Sequence, residues 1–145
     1  MRVVVQRVNR ASVRIDGRVT GEIATGLLVL AGFGPDDGEE DLRWIADKLR
    51  GLRVFPDEEH RMNRDLAEAD GALLVVSQFT LYGDASKGRR PSFIGAAPPE
   101  RARQLYERFL AICAEDGTRV ESGEFGAMME VELINSGPVT LLLER

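Results

Sequence analysis

Residues 129–143 read MEVELINSGPVTLLL, two strand-like runs, Met129 to Ile134 and Val139 to Leu143, on either side of Asn135-Ser136-Gly137-Pro138. A proline has no N–H to give to a sheet ladder, and a glycine has no side chain to pack on one. The centre of the stretch therefore has two readings. It is a turn that joins two strands, or it is a backbone device that another group must approach closely.

Upstream, Thr118 to Ser122 reads as a further strand, preceded by a helix. That helix opens at Pro99, carries Ala102, Leu105, Tyr106, Phe109 and Cys113 on one face, and stops near Gly117. Before it, Tyr82 to Ala97 is rich in glycine, proline and basic residues, and is expected as a long surface loop. Ala72 to Thr80 is a strongly apolar strand with polar residues at its end, and Pro56 to Arg64 a polar loop after a short strand, Leu52 to Phe55. Asp36 to Leu52 is a helix: Leu42, Ile45, Ala46, Leu49 and Leu52 fall at helical spacing. Its acids (Asp36, Asp37, Glu39, Glu40, Asp41) crowd the start and its bases (Lys48, Arg50) the end, as the helix dipole favours.

At the N-terminus, a strand from Val3 runs with alternation through Val8, Ala11, Val13 and Ile15. Asp16-Gly17 signals a type I′ hairpin turn, in which both central residues need positive φ. Val19 to Ile23 and Leu27 to Phe33 complete the set, the last apolar enough to be buried on both faces. The order β-β-β-α-β-β-α-β-β-β predicts a mixed α/β (α+β) protein, with two main helices packed on a largely antiparallel sheet. Residues 1–145 show no internal repeat and no dividing linker, so one domain is expected.

A hydrophobic content of 43% and a charged content of 30% suit a globular protein. No apolar run approaches the ~18 residues that a membrane span needs, and the start lacks the h-region of a signal peptide, so a cytoplasmic location is expected. One cysteine and one histidine give neither an internal disulfide nor a Cys/His zinc site, and no metal or cofactor is expected. Cys113 reads as a core thiol. The net charge of -5 argues against broad coating of nucleic acid, yet leaves room for a local basic patch.

Catalysis by Ser-His-Asp or Cys-His is disfavoured, because His60 sits in a charged loop. Gly32, Gly34 and Gly38 are mis-spaced for a dinucleotide fingerprint. What remains is Ser77-Gln78-Phe79-Thr80-Leu81-Tyr82-Gly83-Asp84, where an apolar strand delivers two hydroxyls and an amide at its end. Such residues build sites at strand ends, and they also cap strands for local reasons, so the residues alone leave both open. Lys87-Gly88-Arg89-Arg90-Pro91-Ser92-Phe93 sets cations beside an aromatic, which suits a phosphate backbone and a stacked base, or a solvated loop.

SQFTLYGD, KGRRPSF and NSGPVT, in this order and at these separations, resemble the D-aminoacyl-tRNA deacylases. The likeness runs through VVVQRVNRASV, GLLVLAGFG, LRVFPDEEHRMN, LYERF and GEFGA, and so covers essentially the whole chain. It implies that family's fold and a homodimeric, tRNA-binding hydrolase that frees D-amino acids from tRNA, a proofreading of chirality. It also implies hydrolysis of the achiral glycyl ester. Ser77, Gln78, Phe79 and Thr80 would line the catalytic pocket, with Thr80 as one candidate nucleophile. Gly137 and Pro138 would form a cis dipeptide that reaches the partner subunit's site and rejects L-aminoacyl esters, held in place by Arg7. On their own chemistry, Lys87, Arg89 and Phe93 are the candidates to bind the substrate's RNA. Many members have Asp where this chain has Ser136 and Met128, which bears on local loop hydrogen bonding. A nucleic-acid-binding module without catalysis is the rival reading, and a structural protein whose Gly–Pro merely turns the chain is a third.

Overall fold

The computed structural model describes residues 1–145. Strands β1 (Arg2–Ile15), β2 (Arg18–Ile23) and β3 (Gly26–Gly32) open the chain, and α1 (Glu39–Gly51) follows. Short strands β4 (Phe55–Pro56) and β5 (Met62–Arg64) pair only with each other, and then comes β6 (Ala72–Ser77). A 3-10 turn (Phe79–Tyr82), α2 (Pro99–Ala114), β7 (Val120–Ser122) and β8 (Glu130–Glu144) complete the order. The main sheet runs β2-β1-β3-β6-β7, with β8 also paired to β1. Pairings of β1 with β2, β3 and β8 are antiparallel, and β3–β6 and β6–β7 are parallel.

The expected turn within residues 129–143 does not reverse the chain. Residues 130–144 form one strand, and both of its halves pair antiparallel with β1. Thr140 pairs with Gln6 and Asn135 with Val8, so four residues, Ser136 to Val139, stand opposite Arg7 alone. A hairpin would send the second half back along the first. Here the chain leaves the ladder and rejoins the same neighbour in the same direction.

β1 serves two cores. Val3 and Val5 pack with Leu27, Val29, Leu73 and Val75 under the two helices. Val8, Ala11 and Val13 pack on the other side with Ile23, Leu28, Leu74 and Val76. Val8 and Ala11 are three apart, which a regular strand would send to opposite faces. The register shift between Val8 and Arg10 supplies the extra residue, Asn9, that brings both inward. The larger core centres on Phe109, fully buried and edge-on to Phe33 at 6.3 Å.

Several boundaries differ from those read in the sequence. α1 begins at Glu39 because Asp37 is used elsewhere: its carboxylate accepts the Gly34 N–H at 2.7 Å and pairs with the Met1 α-amino group at 2.6 Å. Asp41 accepts the Gly38 N–H at 2.9 Å and so closes the helix start. β5 lies inside the expected polar loop, paired with Phe55 and Pro56. The Asp16-Gly17 turn has both residues at positive φ, 50° and 76°. β3 is buried on both faces as its composition predicts, save the half-buried Leu30.

Candidate active site

β6 is covered on both faces from Ala72 to Val76 and emerges at Ser77. The parallel ladder runs one step further, where the Gln78 N–H donates to the Ala31 carbonyl at 2.7 Å. The chain then tightens into the 3-10 turn, which ends the expected strand three residues early. The turn rests on β3: a Cβ at Gly32 would lie 2.9 Å from the Gln78 carbonyl oxygen and 3.2 Å from Leu81 Cβ. The Tyr82 hydroxyl lies against Gly34, and burial pushes its pKa up to about 12. Arg2 clamps the far end, with its guanidinium 4.6 Å from the Tyr82 ring centre and a hydrogen bond to the Leu81 carbonyl at 3.2 Å.

This seat presents Phe79 and Thr80 to solvent, with Ser77 and Gln78 half-buried behind them. The Gln78 side-chain amide is hydrogen-bonded to the Thr80 hydroxyl. An amide is no base in either orientation, so Thr80 gains no proton acceptor from it. Phe79 is 58% exposed and meets Phe93 edge-on at 5.1 Å. Phe93 follows a loop closed by two backbone hydrogen bonds between Asp84 and Ser92, each 2.8 Å. Asp84 accepts from Ser86, which holds its carboxyl below the usual range. Lys87, Arg89 and Arg90 stand exposed at the loop tip, and none of them enters an ion pair.

The second candidate lies elsewhere. Gly137 and Pro138 sit exposed at the crest of the excursion, Gly137 at φ +115°, with the peptide bond between them cis. Arg7 holds the crest from the helix side of the sheet: Nε donates to the Ser136 carbonyl at 3.1 Å, and Nη1 to the Val54 carbonyl. Its Nη2 fills the space that a side chain on Gly137 would need.

Ser77 is level with Ala31 and Val3 across the sheet, and the excursion is level with Arg7, four residues along β1. At ~3.3 Å per residue and ~4.8 Å per strand, the two motifs lie roughly 20 Å apart within one chain. The structure thus brings together Ser77, Gln78, Phe79, Thr80 and Phe93, with the cationic loop beside them. It brings Arg7, Gly137 and Pro138 together separately.

β8 carries a third feature. None of its residues is buried, and it has no partner beyond β1. Leu142 is 62% exposed, and it pairs with Val4, which pairs with Leu30, in an apolar row on the face no helix covers. A cavity of about 850 Å³ is at the opposite end of β6. Its Arg50 and Arg119 are already in ion pairs.

Sequence reading missed Arg2 and Asn135, whose partners lie far along the chain: Leu81 and Tyr82 for Arg2, Gln6 for Asn135. Only the Val139 and Thr140 contacts of Asn135 are local.

Residues 4–144 match the family model described as D-Tyr-tRNA(Tyr) deacylase. A D-aminoacyl-tRNA deacylase of Koribacter versatilis is 57% identical over 99% of this chain and 97% of its own. Among solved structures, the c-Myc DNA unwinding element binding protein superposes with a TM-score of 0.94 at 38% identity, over 100% of this chain and 99% of the other. A probable eukaryotic D-amino acid tRNA deacylase gives a TM-score of 0.82 at 21% identity, over 98% and 97%, a likeness of fold alone.

Proposed function

The chain belongs to the D-Tyr-tRNA(Tyr) deacylase family, and from that membership we propose that it hydrolyses the ester of D-aminoacyl-tRNA to free amino acid and tRNA. A water adds to the ester carbonyl, the C–O bond to the terminal ribose breaks, and the ribose oxygen takes the proton. An aminoacyl ester is already activated, so positioning and electrostatic help suffice. The first N–H groups of a helical turn have no intrahelical acceptor. Those of Phe79 and Thr80 would receive the developing oxyanion, an interaction whose loss costs about 10²–10³ in rate. Because Thr80 has no base beside it, the vicinal ribose hydroxyl assists the water, and catalysis is partly substrate-borne.

One observation carries the chiral part of the proposal: β8 leaves its ladder to expose two residues without reactive side chains. Gly137 lets a main-chain wall approach the substrate's α-carbon. A D side chain points away from this wall and an L side chain runs into it. Glycyl esters pass for want of a side chain, so mischarged glycyl-tRNA is a second substrate.

The separation of the motifs within one chain supports a homodimer in which the partner's Gly137–Pro138 completes the pocket at Ser77–Thr80. The unburied β8 and its exposed Leu142 suit such an interface. Lys87 and Arg89, with Arg90, would hold the acceptor-end phosphates, and Phe79 and Phe93 offer a stacking surface. The reading takes residues 1–145 as one deacylase domain, acting in the cytoplasm where charged tRNA is used.

The unpaired cations also favour a second reading, a nucleic-acid-binding module without catalysis. Matched D- and L-aminoacyl-tRNA separate the two in one assay. Selective loss of the D-ester is expected. Binding without turnover, or equal loss of both esters, overturns the proposal.

A further inference from the structure

The side chain of Asn135 is more fully engaged than any other polar group around the Gly137–Pro138 crest. Its Oδ1 accepts the Val139 N–H at 2.9 Å, so the strand is tied on both sides of the excursion by one carboxamide. That bond fixes which end of the amide is which, since a backbone N–H can only donate. Nδ2 then faces two acceptors, Gln6 Oε1 and Thr140 Oγ1, each at 2.9 Å. Gln6 and Thr140 are the last paired residues before the ladder opens, and Val8 and Asn135 the first after it. The amide therefore spans the mouth of the excursion and closes it.

Arg7 and Asn135 divide the work by face. Arg7 lies on the side of Val3 and Val5 and grips the Ser136 carbonyl from under the helices. Gln6, and with it the Asn135 carboxamide, lies on the opposite side, which no helix covers. Removing Arg7 frees one carbonyl of the crest. Removing the carboxamide frees both feet of it, because Val139 loses its acceptor and Thr140 and Gln6 lose their shared donor.

We infer that Asn135 is a positioning residue whose hydrogen bonds set the height of the Gly137–Pro138 main chain, and through it the discrimination between D- and L-aminoacyl esters. The inference rests on reading Gly137–Pro138 as the chiral gate. A wall of main-chain atoms rejects an L side chain only while it stands within contact distance, and a misplacement of about 1 Å at a reacting centre can change a rate about a hundredfold. Asn135 touches no substrate, and acts only through the segment it holds.

The experiment measures single-turnover hydrolysis of matched D- and L-aminoacyl-tRNA by the full-length protein and its variants. Asn135→Ala is expected to lower the D-to-L rate ratio by about ten- to a hundredfold, the range that losing buried or half-buried hydrogen bonds produces. Asn135→Asp is expected to keep most of the ratio. A carboxylate still accepts the Val139 N–H, the Gln6 amide can turn to donate to it, and the Thr140 hydroxyl can do the same. Adding Gln6→Glu to Asn135→Asp faces two carboxylates and is expected to lose the ratio again. This pair separates the hydrogen-bond role from mere volume, and it holds even where Asn135→Ala folds poorly.

An unchanged ratio in Asn135→Ala overturns the inference, whether or not the D-ester rate falls, since a general loss of activity would mark a merely structural residue. So does an Asn135→Asp variant as impaired as Asn135→Ala. Gly137→Ala, run in parallel, keeps the two claims apart. If it alters the ratio and Asn135→Ala does not, only the positioning role fails. If neither alters it, the gate itself fails.

Discussion

The Phe79–Tyr82 turn is seated by side chains that press on glycines, whereas the Ser136–Val139 excursion is seated by side chains that grip its main chain. At the turn, Leu81 and Tyr82 rest on Gly32 and Gly34, and Arg2 closes the far end. At the excursion, Arg7 and Asn135 bond to peptide groups and leave Gly137 and Pro138 nothing to do but stand exposed. The turn presents a hydroxyl, an amide and an aromatic ring. The excursion presents only backbone. A substitution at the turn should therefore act by displacing functional groups, and one at the excursion by dislodging the side chains that hold its main chain.

Gly137→Ala is the most severe way to test this contrast. Its φ of +115° is hostile to any L side chain, and the new methyl would displace the Arg7 guanidinium. D-ester hydrolysis should fall by about 10²–10³, with the fold retained in far-ultraviolet circular dichroism. Near-full activity would show that nothing approaches the crest closely.

Gly32→Ala attacks the other region from behind. The added methyl meets a backbone oxygen at 2.9 Å, so the turn must shift bodily. About a hundredfold loss in kcat is expected, with about 1–3 kcal/mol of destabilisation from overpacking, read from denaturant melts. Should kcat hold while stability falls, the seat would be structural only.

Thr80→Ala sharpens the comparison from within the turn. With no base at its hydroxyl, the threonine should be dispensable, and the D-ester rate should stay within about tenfold of the original, well short of the ~10²–10³ that an oxyanion donor supplies. A loss of several orders of magnitude would make Thr80 a nucleophile and bring the turn's side chain back to the centre of the chemistry.

The smallest effect concerns a region that neither motif uses. Between the helices, Arg108 holds the Glu39 carboxyl down at about 2, below its ordinary 4.5, and Arg43 lowers Glu115. Carboxyls depressed in the folded state stabilise it above their ordinary value, and that help is lost as pH falls towards 2. The melting temperature should therefore drop between about pH 4.5 and 2. Arg108→Ala should flatten this drop and leave the D-to-L ratio at neutral pH untouched. These side chains are about half exposed and screened by solvent, so the change should be slight. A steep loss that survives Arg108→Ala would point to other carboxylates.

What the sequence made legible follows from how local each signal is. The two helices, the Asp16-Gly17 hairpin and the doubly buried β3 rest on periodicity or on φ at neighbouring residues. The two runs at residues 129–143 were visible as strands, but their relation was not. A turn and an excursion have the same composition, and only the partner strand, more than a hundred residues away, distinguishes them. Ser77 to Thr80 stood out because an apolar strand ends in polar groups. Their seat on Gly32 and Gly34 did not, since those glycines read only as a failed dinucleotide pattern. Asn135 belongs to a motif that stands out in the sequence, yet nothing nearby in the chain says that Gln6 completes its hydrogen bonds.

The shift at Asn9 and the excursion after Asn135 together make this part of the protein intolerant of changes in length. Each lets a strand rejoin its ladder with the correct face inward: Ala11 and Val13 after the first, Leu141 and Leu143 after the second. One residue more or fewer would turn every following side chain to the wrong side. Position 136 can exchange its residue freely by this criterion, but the spacing between Asn135 and Thr140 behaves like a reading frame. A single-residue insertion there should turn Leu141 and Leu143 away from the core they pack against, where a substitution at position 136 would leave that register intact.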